Sequence, residues 1–285
     1  MDEPGRTEPG RMNRGETMGK IYVVANRKGG CSKTTTVGAL ASALHKGGYR
    51  VLVVDMDPQG NISDWAKVNT DDRNTLYEVL SRKATMAEAI VETPYYDIAP
   101  ADSALTLIET DLITTAGKEL RLREALKTVK ENYDFIIVDT PPNLGFLTTC
   151  AFVAADGGII VTSDASSFAS KGMGDLVRQL NEVKEYFNPN ARITGILLTR
   201  VNPQTNVFQT IKELTRQFGE YIDAPIYSTY IRQTTVVMNA QMTATDLYEM
   251  PKVNAAANDY KKFTNEFLER EGYDAIPDEV LDIRK

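Results

Sequence analysis

Between a β-branched run, Ile21-Tyr22-Val23-Val24-Ala25, and a helical stretch from about Thr34 to Lys46, the chain reads Lys28-Gly29-Gly30-Cys31-Ser32-Lys33-Thr34-Thr35. No other segment limits the possible folds as sharply. Glycines let a backbone approach an anion closely and turn successive N–H groups toward it, so Gly29, Gly30, Cys31 and Ser32 can form a cradle. A helix opening at about Lys33 adds the positive end of its dipole. Lys33 can reach β- and γ-phosphates, the Thr34 hydroxyl suits a magnesium ion, and Thr35 can donate to an α-phosphate. A Gly-rich turn beside a helix cap would share the composition. It would not call for a strand before, a helix after and two spaced lysines.

The rest of the chain repeats the strand–helix alternation. Val51-Leu52-Val53-Val54, Phe135-Ile136-Ile137-Val138, Gly158-Ile159-Ile160-Val161 and Ile193 to Leu198 are apolar runs of strand length, with helical stretches between them. Strands buried on both faces and separated by helices predict an α/β P-loop NTPase fold. It has three layers, a mostly parallel twisted sheet flanked by helices on both faces. A helix at about 205–219 is expected to bury Val207, Ile211, Leu214 and Phe218. A last helix at 253–271 is expected to bury Val253, Ala256, Tyr260, Phe263 and Phe267. Residues 1–17, rich in Gly, Pro and charge, read as a disordered tail, residues 18–272 as a single domain, and 273–285 as a polar tail.

Composition removes several classes of function. The chain has 285 residues and two cysteines, Cys31 and Cys150, with no C-x-x-C pair. A disulfide framework, a structural zinc site or an iron–sulfur cluster within one chain is not expected. No apolar run approaches the length that spans a bilayer, which leads to the expectation of a cytoplasmic protein. The net charge of −7 means that any nucleic-acid binding must come from a local basic patch. His45, the single histidine, stands near a helix end, where a cation complements the dipole.

Against the standard motif G-x-x-x-x-G-K-[ST], Arg27 and Ser32 stand in the two glycine places. The stretch K-G-G-x-x-K-T is the deviant form with an extra lysine at its start. Asp55-Met56-Asp57-Pro58-Gln59-Gly60-Asn61 is similar to a D-x-D-P-Q-G-N stretch, Asp139-Thr140-Pro141-Pro142 to a D-x-P-P motif, and Asp97-Ile98-Ala99-Pro100-Ala101 to a D-x-x-P-x strand end. In their order along the chain and their spacing over residues 20–200, these motifs make the chain resemble the ParA/Soj-type partition ATPases of the MinD/ParA superfamily.

The resemblance implies a slow, Mg2+-dependent ATPase that forms a homodimer around ATP and acts in plasmid or chromosome segregation. It implies non-specific DNA binding by the ATP-bound dimer, with hydrolysis stimulated by a ParB-like or other partner, in a bacterial, nucleoid-associated or plasmid-encoded protein. Asp57 would position the attacking water, Asp139 would hold a water on Mg2+, and Asp55 would support Thr34 or the magnesium shell. Lys28 would cross to the partner's phosphates. Arg200 and Asn202 fall where related ATPases read the base; an ordinary loop is the alternative.

The family's Ile-Pro-Arg…Arg stretch is only partly matched by Tyr230-Ile231-Arg232-Gln233-Thr234-Thr235. Candidates for a DNA surface are Lys212, Arg216, Arg232, Lys252, Lys261 and Lys262, with solvated helix faces as the alternative. A related ATPase that positions a protein cargo, or regulates replication or transfer without touching DNA, also fits this pattern. The acidic end from Glu269 speaks against a lipid-binding C-terminal helix of the MinD kind, and no membrane partner is expected.

Overall fold

The computed structural model describes residues 19–164, 171–250 and 255–281; the expected tail at 1–17, Val253 and Lys252 lie outside them. The strands are β1 (Lys20–Ala25), β2 (Val51–Asp55), β3 (Asp97–Ala99), β4 (Phe135–Asp139), β5 (Gly158–Asp164), β6 (Ile193–Val201) and β7 (Ile226–Arg232). The helices are α1 (Lys33–Lys46), α2 (Asn61–Trp65), α3 (Leu76–Leu80), α4 (Met86–Ala89), α5 (Ile108–Asp111), α6 (Arg121–Lys127), α7 (Phe146–Ala154), α8 (Lys171–Tyr186), α9 (Asn206–Tyr221), α10 (Val236–Met242) and α11 (Ala255–Arg270). The strands form one seven-stranded sheet in the order β3-β2-β4-β1-β5-β6-β7. Every strand pairing is parallel.

Side chains alternate across the pleat, and the apolar runs supply both faces. Ile21, Val23 and Ala25 of β1 join the core under α7 and α8, while Tyr22 and Val24 join the core under α1 and α11. β2 and β4 divide in the same way, with Leu52, Val54, Ile136 and Val138 on one side and Val51, Val53, Phe135 and Ile137 on the other. Because the strands are parallel, all their C-terminal ends lie along one edge, where ligands of open α/β sheets bind.

Two expectations are corrected. On α9 the buried face is Phe208, Ile211, Thr215 and Gly219, while Val207 and Leu214 are exposed. Phe208 packs edge-on against Tyr230 with centroids 4.9 Å apart, which rotates the inner stripe one residue along from Val207. Thr215 tolerates burial because its hydroxyl donates to Ile211 O at 2.7 Å. Second, the stretch read as a polar tail places Ile276 and Leu281 in the core. Asn265 holds Ile276 by two backbone bonds, and Ile276 Cδ1 lies where a side chain on Gly47 would sit, 2.7 Å from its Cβ.

Among the described residues no helix is long and apolar enough to cross a membrane.

Candidate nucleotide site

The loop from Asn26 to Ser32 connects β1 to α1 at the C-terminal edge of the sheet. Its shape is fixed from both sides. Asn26 donates to Thr162 O and accepts from Lys28 N at 3.0 Å. Thr199 donates to Cys31 O at 3.2 Å, and Arg200 donates to Gly30 O at 2.8 Å. Gly30 and Ser32 both take left-handed backbone angles, φ +76° and +62°. Ser32 thus adopts the conformation that the standard motif assigns to glycine.

Lys33 opens α1, is 6% exposed, and donates to Lys28 O at 3.4 Å. Burial lowers its pKa, and Asp139 is the largest influence in the other direction. Thr34 donates to Asp139 Oδ2 at 2.6 Å. The other carboxylate oxygen, Asp139 Oδ1, is buried and has no hydrogen-bond partner among the described residues. Burial pushes the Asp139 carboxyl up to about 8, helped by the nearby charge of Asp55. With the Thr34 hydroxyl, this carboxylate forms a pair that could hold a cation.

Asp55 was expected near Thr34 or a metal. Its oxygens instead accept from Asp57 N at 3.1 Å, Ser63 N at 3.2 Å and Ser63 Oγ at 2.7 Å. Burial raises its pKa to about 7 against these bonds. Asp55 is therefore a buttress for the 57–63 segment. That segment turns at Gly60, φ +63°, where a Cβ would lie 3.1 Å from Ala101 O. Asp57, 6% exposed, accepts from Gln59 N at 3.0 Å and faces the cleft.

The cleft has a volume of about 1000 Å³. Gly29, Lys33, Thr34 and Asp57 line it, together with Arg232, Gln233, Thr234, Val237 and Gln241 from β7, α10 and the turn between them. Arg200 also reaches it, from a left-handed position at φ +54° within β6. Asn202 does not line it: it stands exposed in the turn after β6 and accepts from Gln204 N at 3.2 Å. Sequence reasoning missed the wall from Gln233 to Gln241. The only signal for it was its position directly after the last strand.

Lys28 lies at the mouth of the loop, held in the same chain by Asp164, with Nζ 3.3 and 3.1 Å from the two carboxylate oxygens.

The described basic candidates fall into two groups, with Arg232 and Lys262 lining one hollow beside β7. Lys212 and Arg216 are on α9, whose Phe218 packs with the α7–α8 core, while Lys261 and Lys262 are on α11, across the sheet. Arg216 is paired with Glu213 and Glu220, Arg232 with Asp259 at 2.7 Å, and Lys261 with Asp278 at 2.9 Å.

The AAA domain family matches residues 19–193. The chain is 34% identical over 258 residues to the chromosome partitioning protein ParA of Caulobacter vibrioides, covering 88% of this chain and 95% of the relative. The chain belongs to the ParA/Soj family of P-loop ATPases. It is also 36% identical over 209 residues to the sporulation initiation inhibitor protein Soj of Bacillus subtilis, covering 72% and 82% of the two chains. A similar solved structure is cobyrinic acid a,c-diamide synthase from Mycobacterium smegmatis with a bound ATP analog and magnesium. It has TM-score 0.76 and 27% identity, and covers 91% of this chain and 98% of that one. The all-parallel sheet and the loop after β1 are thus the family's P-loop NTPase fold.

Proposed function

We propose that this ParA-family chain is a switch that binds ATP with Mg2+, dimerises around it, and acts in DNA segregation. The observation that carries the reading is the Thr34–Asp139 pair, with one buried carboxylate oxygen left open beside the phosphate cradle. A hydroxyl and one carboxylate suit Mg2+, which keeps waters and takes phosphate oxygens as its remaining ligands. Bound there, the ion would neutralise charge between the β- and γ-phosphates. The backbone amides of residues 29–33 cradle the phosphates, and Lys33 supplies a cation that is already desolvated. Asp57 reaches the γ-phosphate end of the cleft and orients the attacking water.

Lys28 is the part that makes the site a switch. In the single chain its ammonium is paired with Asp164. Two chains facing each other across ATP would exchange that carboxylate for the partner's phosphates, so nucleotide occupancy and dimerisation become one event. Hydrolysis, accelerated by a stimulating partner protein, returns Lys28 to Asp164 and separates the dimer.

For the biological task, family membership supports a reading of ATP-dependent binding to non-specific DNA. A second reading, positioning of a protein cargo, is favoured by one observation. Arg216, Arg232 and Lys261 are each neutralised by carboxylates of the same chain. The two readings part on one assay, retention on non-specific duplex DNA with ATP, ADP or no nucleotide, across a salt series. Salt-sensitive retention with ATP alone, absent in Lys33→Ala, supports the DNA reading. Dimerisation with ATP but no retention at low salt rejects it in favour of a protein cargo.

A further inference from the structure

We infer that Gln241 is a positioning residue for nucleotide binding, aiming the Thr35 hydroxyl at the α-phosphate; this rests on the reading of the cleft as an ATP site. Gln241 Nε2 donates to Thr35 Oγ1 at 3.2 Å, joining α10 to the first turn of α1 across 206 positions of sequence. A threonine hydroxyl has one proton to give. When its oxygen accepts from an amide, that proton turns away from the amide toward another acceptor. Thr35 and Gln241 both line the nucleotide cleft, so an anion lying in the cleft is the acceptor on offer.

The adjacent threonine gives the contrast. Thr36 is fully buried, does not line the cleft, and bonds to the Tyr260 hydroxyl at 3.1 Å. Two neighbouring residues of one type therefore have separate tasks. Thr36 ties α1 to α11, and Thr35 keeps its proton for the ligand.

The Gln241 bond is not needed to hold α10 in place. Gln241 is exposed, so water can replace Thr35 as its partner. The segment after α10 is anchored independently. Ser42 donates to Asp246 at 2.8 Å, Lys46 pairs with Asp246 at 3.2 Å, and Trp65 Nε1 donates to Thr245 O at 2.8 Å. Substitution of Gln241 should leave the fold intact and change only the orientation of one hydroxyl.

Because ATP and ADP share the α-phosphate, the effect must fall equally on both. Gln241→Ala should weaken ATP and ADP binding by the same factor, about 2–10-fold, the range of a single uncharged hydrogen bond. It should raise KM with kcat unchanged, since the contact is the same in ground and transition states. Gln241→Glu, nearly isosteric, cannot donate as a carboxylate and places a negative charge beside the phosphates, so it should weaken both nucleotides further.

The test is a double-mutant cycle with Thr35→Val, titrating fluorescent ATP and ADP into wild type, the two single variants and the double variant. Apo melting temperatures are recorded alongside. The expected result is that Gln241→Ala weakens binding in the wild-type background and adds nothing in the Thr35→Val background. Additive losses, or unchanged affinity in Gln241→Ala, overturn the inference. If wild type binds neither nucleotide, the ATP-site reading falls and the inference with it. If wild type binds, Lys33→Ala does not, and the cycle is additive, the inference alone fails.

Discussion

Two sets of carboxylates, one ending strands of the sheet and one on α11 against its edge strand, are bonded in opposite ways. At the C-terminal edge, Asp55 and Asp139 are fully buried, close enough to repel each other, and have raised pKa values. Asp139 keeps an oxygen without a partner. At the edge strand β7, Asp259 and Glu266 of α11 are paired with backbone as well as with arginines. Glu266 accepts from Ser228 N at 2.7 Å and Thr229 N at 2.8 Å, and Asp259 from Arg232 N at 3.0 Å. Arg270 and Arg232 bond to the same two carboxylates. The second set closes a sheet edge that would otherwise offer free N–H groups to another chain. The first set is left incomplete. Burial alone therefore does not separate the two sets; what separates them is bonding capacity left over at Asp139.

Asp139→Asn is the strongest way to break the comparison. ATP hydrolysis should fall by about 100-fold or more while the protein stays folded, because charge at the phosphates loses its support. If Asp139 were a structural carboxylate like Glu266, the melting temperature would fall instead and the folded fraction would keep its turnover.

Glu266→Ala should do the reverse. Leaving the Ser228 and Thr229 amides without their acceptor costs about 2 kcal/mol. For a chain of this size that lowers the melting temperature by about 4–8 °C. Nucleotide affinity should not change.

The pH dependence of that loss has a definite sign. Burial raises the Glu266 pKa, but the Ser228 and Thr229 N–H bonds lower it more, so its folded value lies below the ordinary glutamate value. The stability it contributes is present above the unfolded pKa of about 4.3 and is lost as pH falls through the folded value. The gap between wild type and Glu266→Ala should close on acidification. A gap that widens toward low pH would contradict the assignment.

Asp164→Ala gives a smaller effect and tests the cation rather than the carboxylate. Removing this one partner of the half-exposed Lys28 should strengthen ATP-dependent dimerisation by about 2–5-fold, the range of a partly exposed ion pair. Weaker dimerisation would show that Asp164 supports the loop rather than restrains the lysine. The exposed carboxylates Glu213 and Glu220 complete the series: Arg216→Ala should leave the melting temperature unchanged, because water replaces their partner.

What the sequence revealed follows from which interactions are local. The phosphate loop was legible because its glycines and lysines must keep fixed spacing around one ligand. The sheet was legible because strands buried on both faces read as apolar runs. The face of α9 was misread because Val207 and Phe208 fit a helical stripe almost equally, and only packing against Tyr230 decides between them. The Gln233–Gln241 wall and the Gln241–Thr35 bond join residues far apart in sequence, with no pattern of their own. Asp55 and Asp139 end adjacent strands in the same register, Asp55 opposite Asp139, yet only the second keeps an open oxygen. That distinction depends on Ser63, eight positions beyond Asp55.

The most direct test of the switch is sedimentation velocity of the purified chain and of Lys28→Ala with Mg-ATP, Mg-ADP and no nucleotide, with bound nucleotide measured in the same samples. The account predicts a dimer for wild type with Mg-ATP alone, and a monomer for Lys28→Ala under all three conditions with ATP still bound. A wild-type chain that holds ATP yet sediments as a monomer, or a Lys28→Ala chain that dimerises as well as wild type, would contradict it.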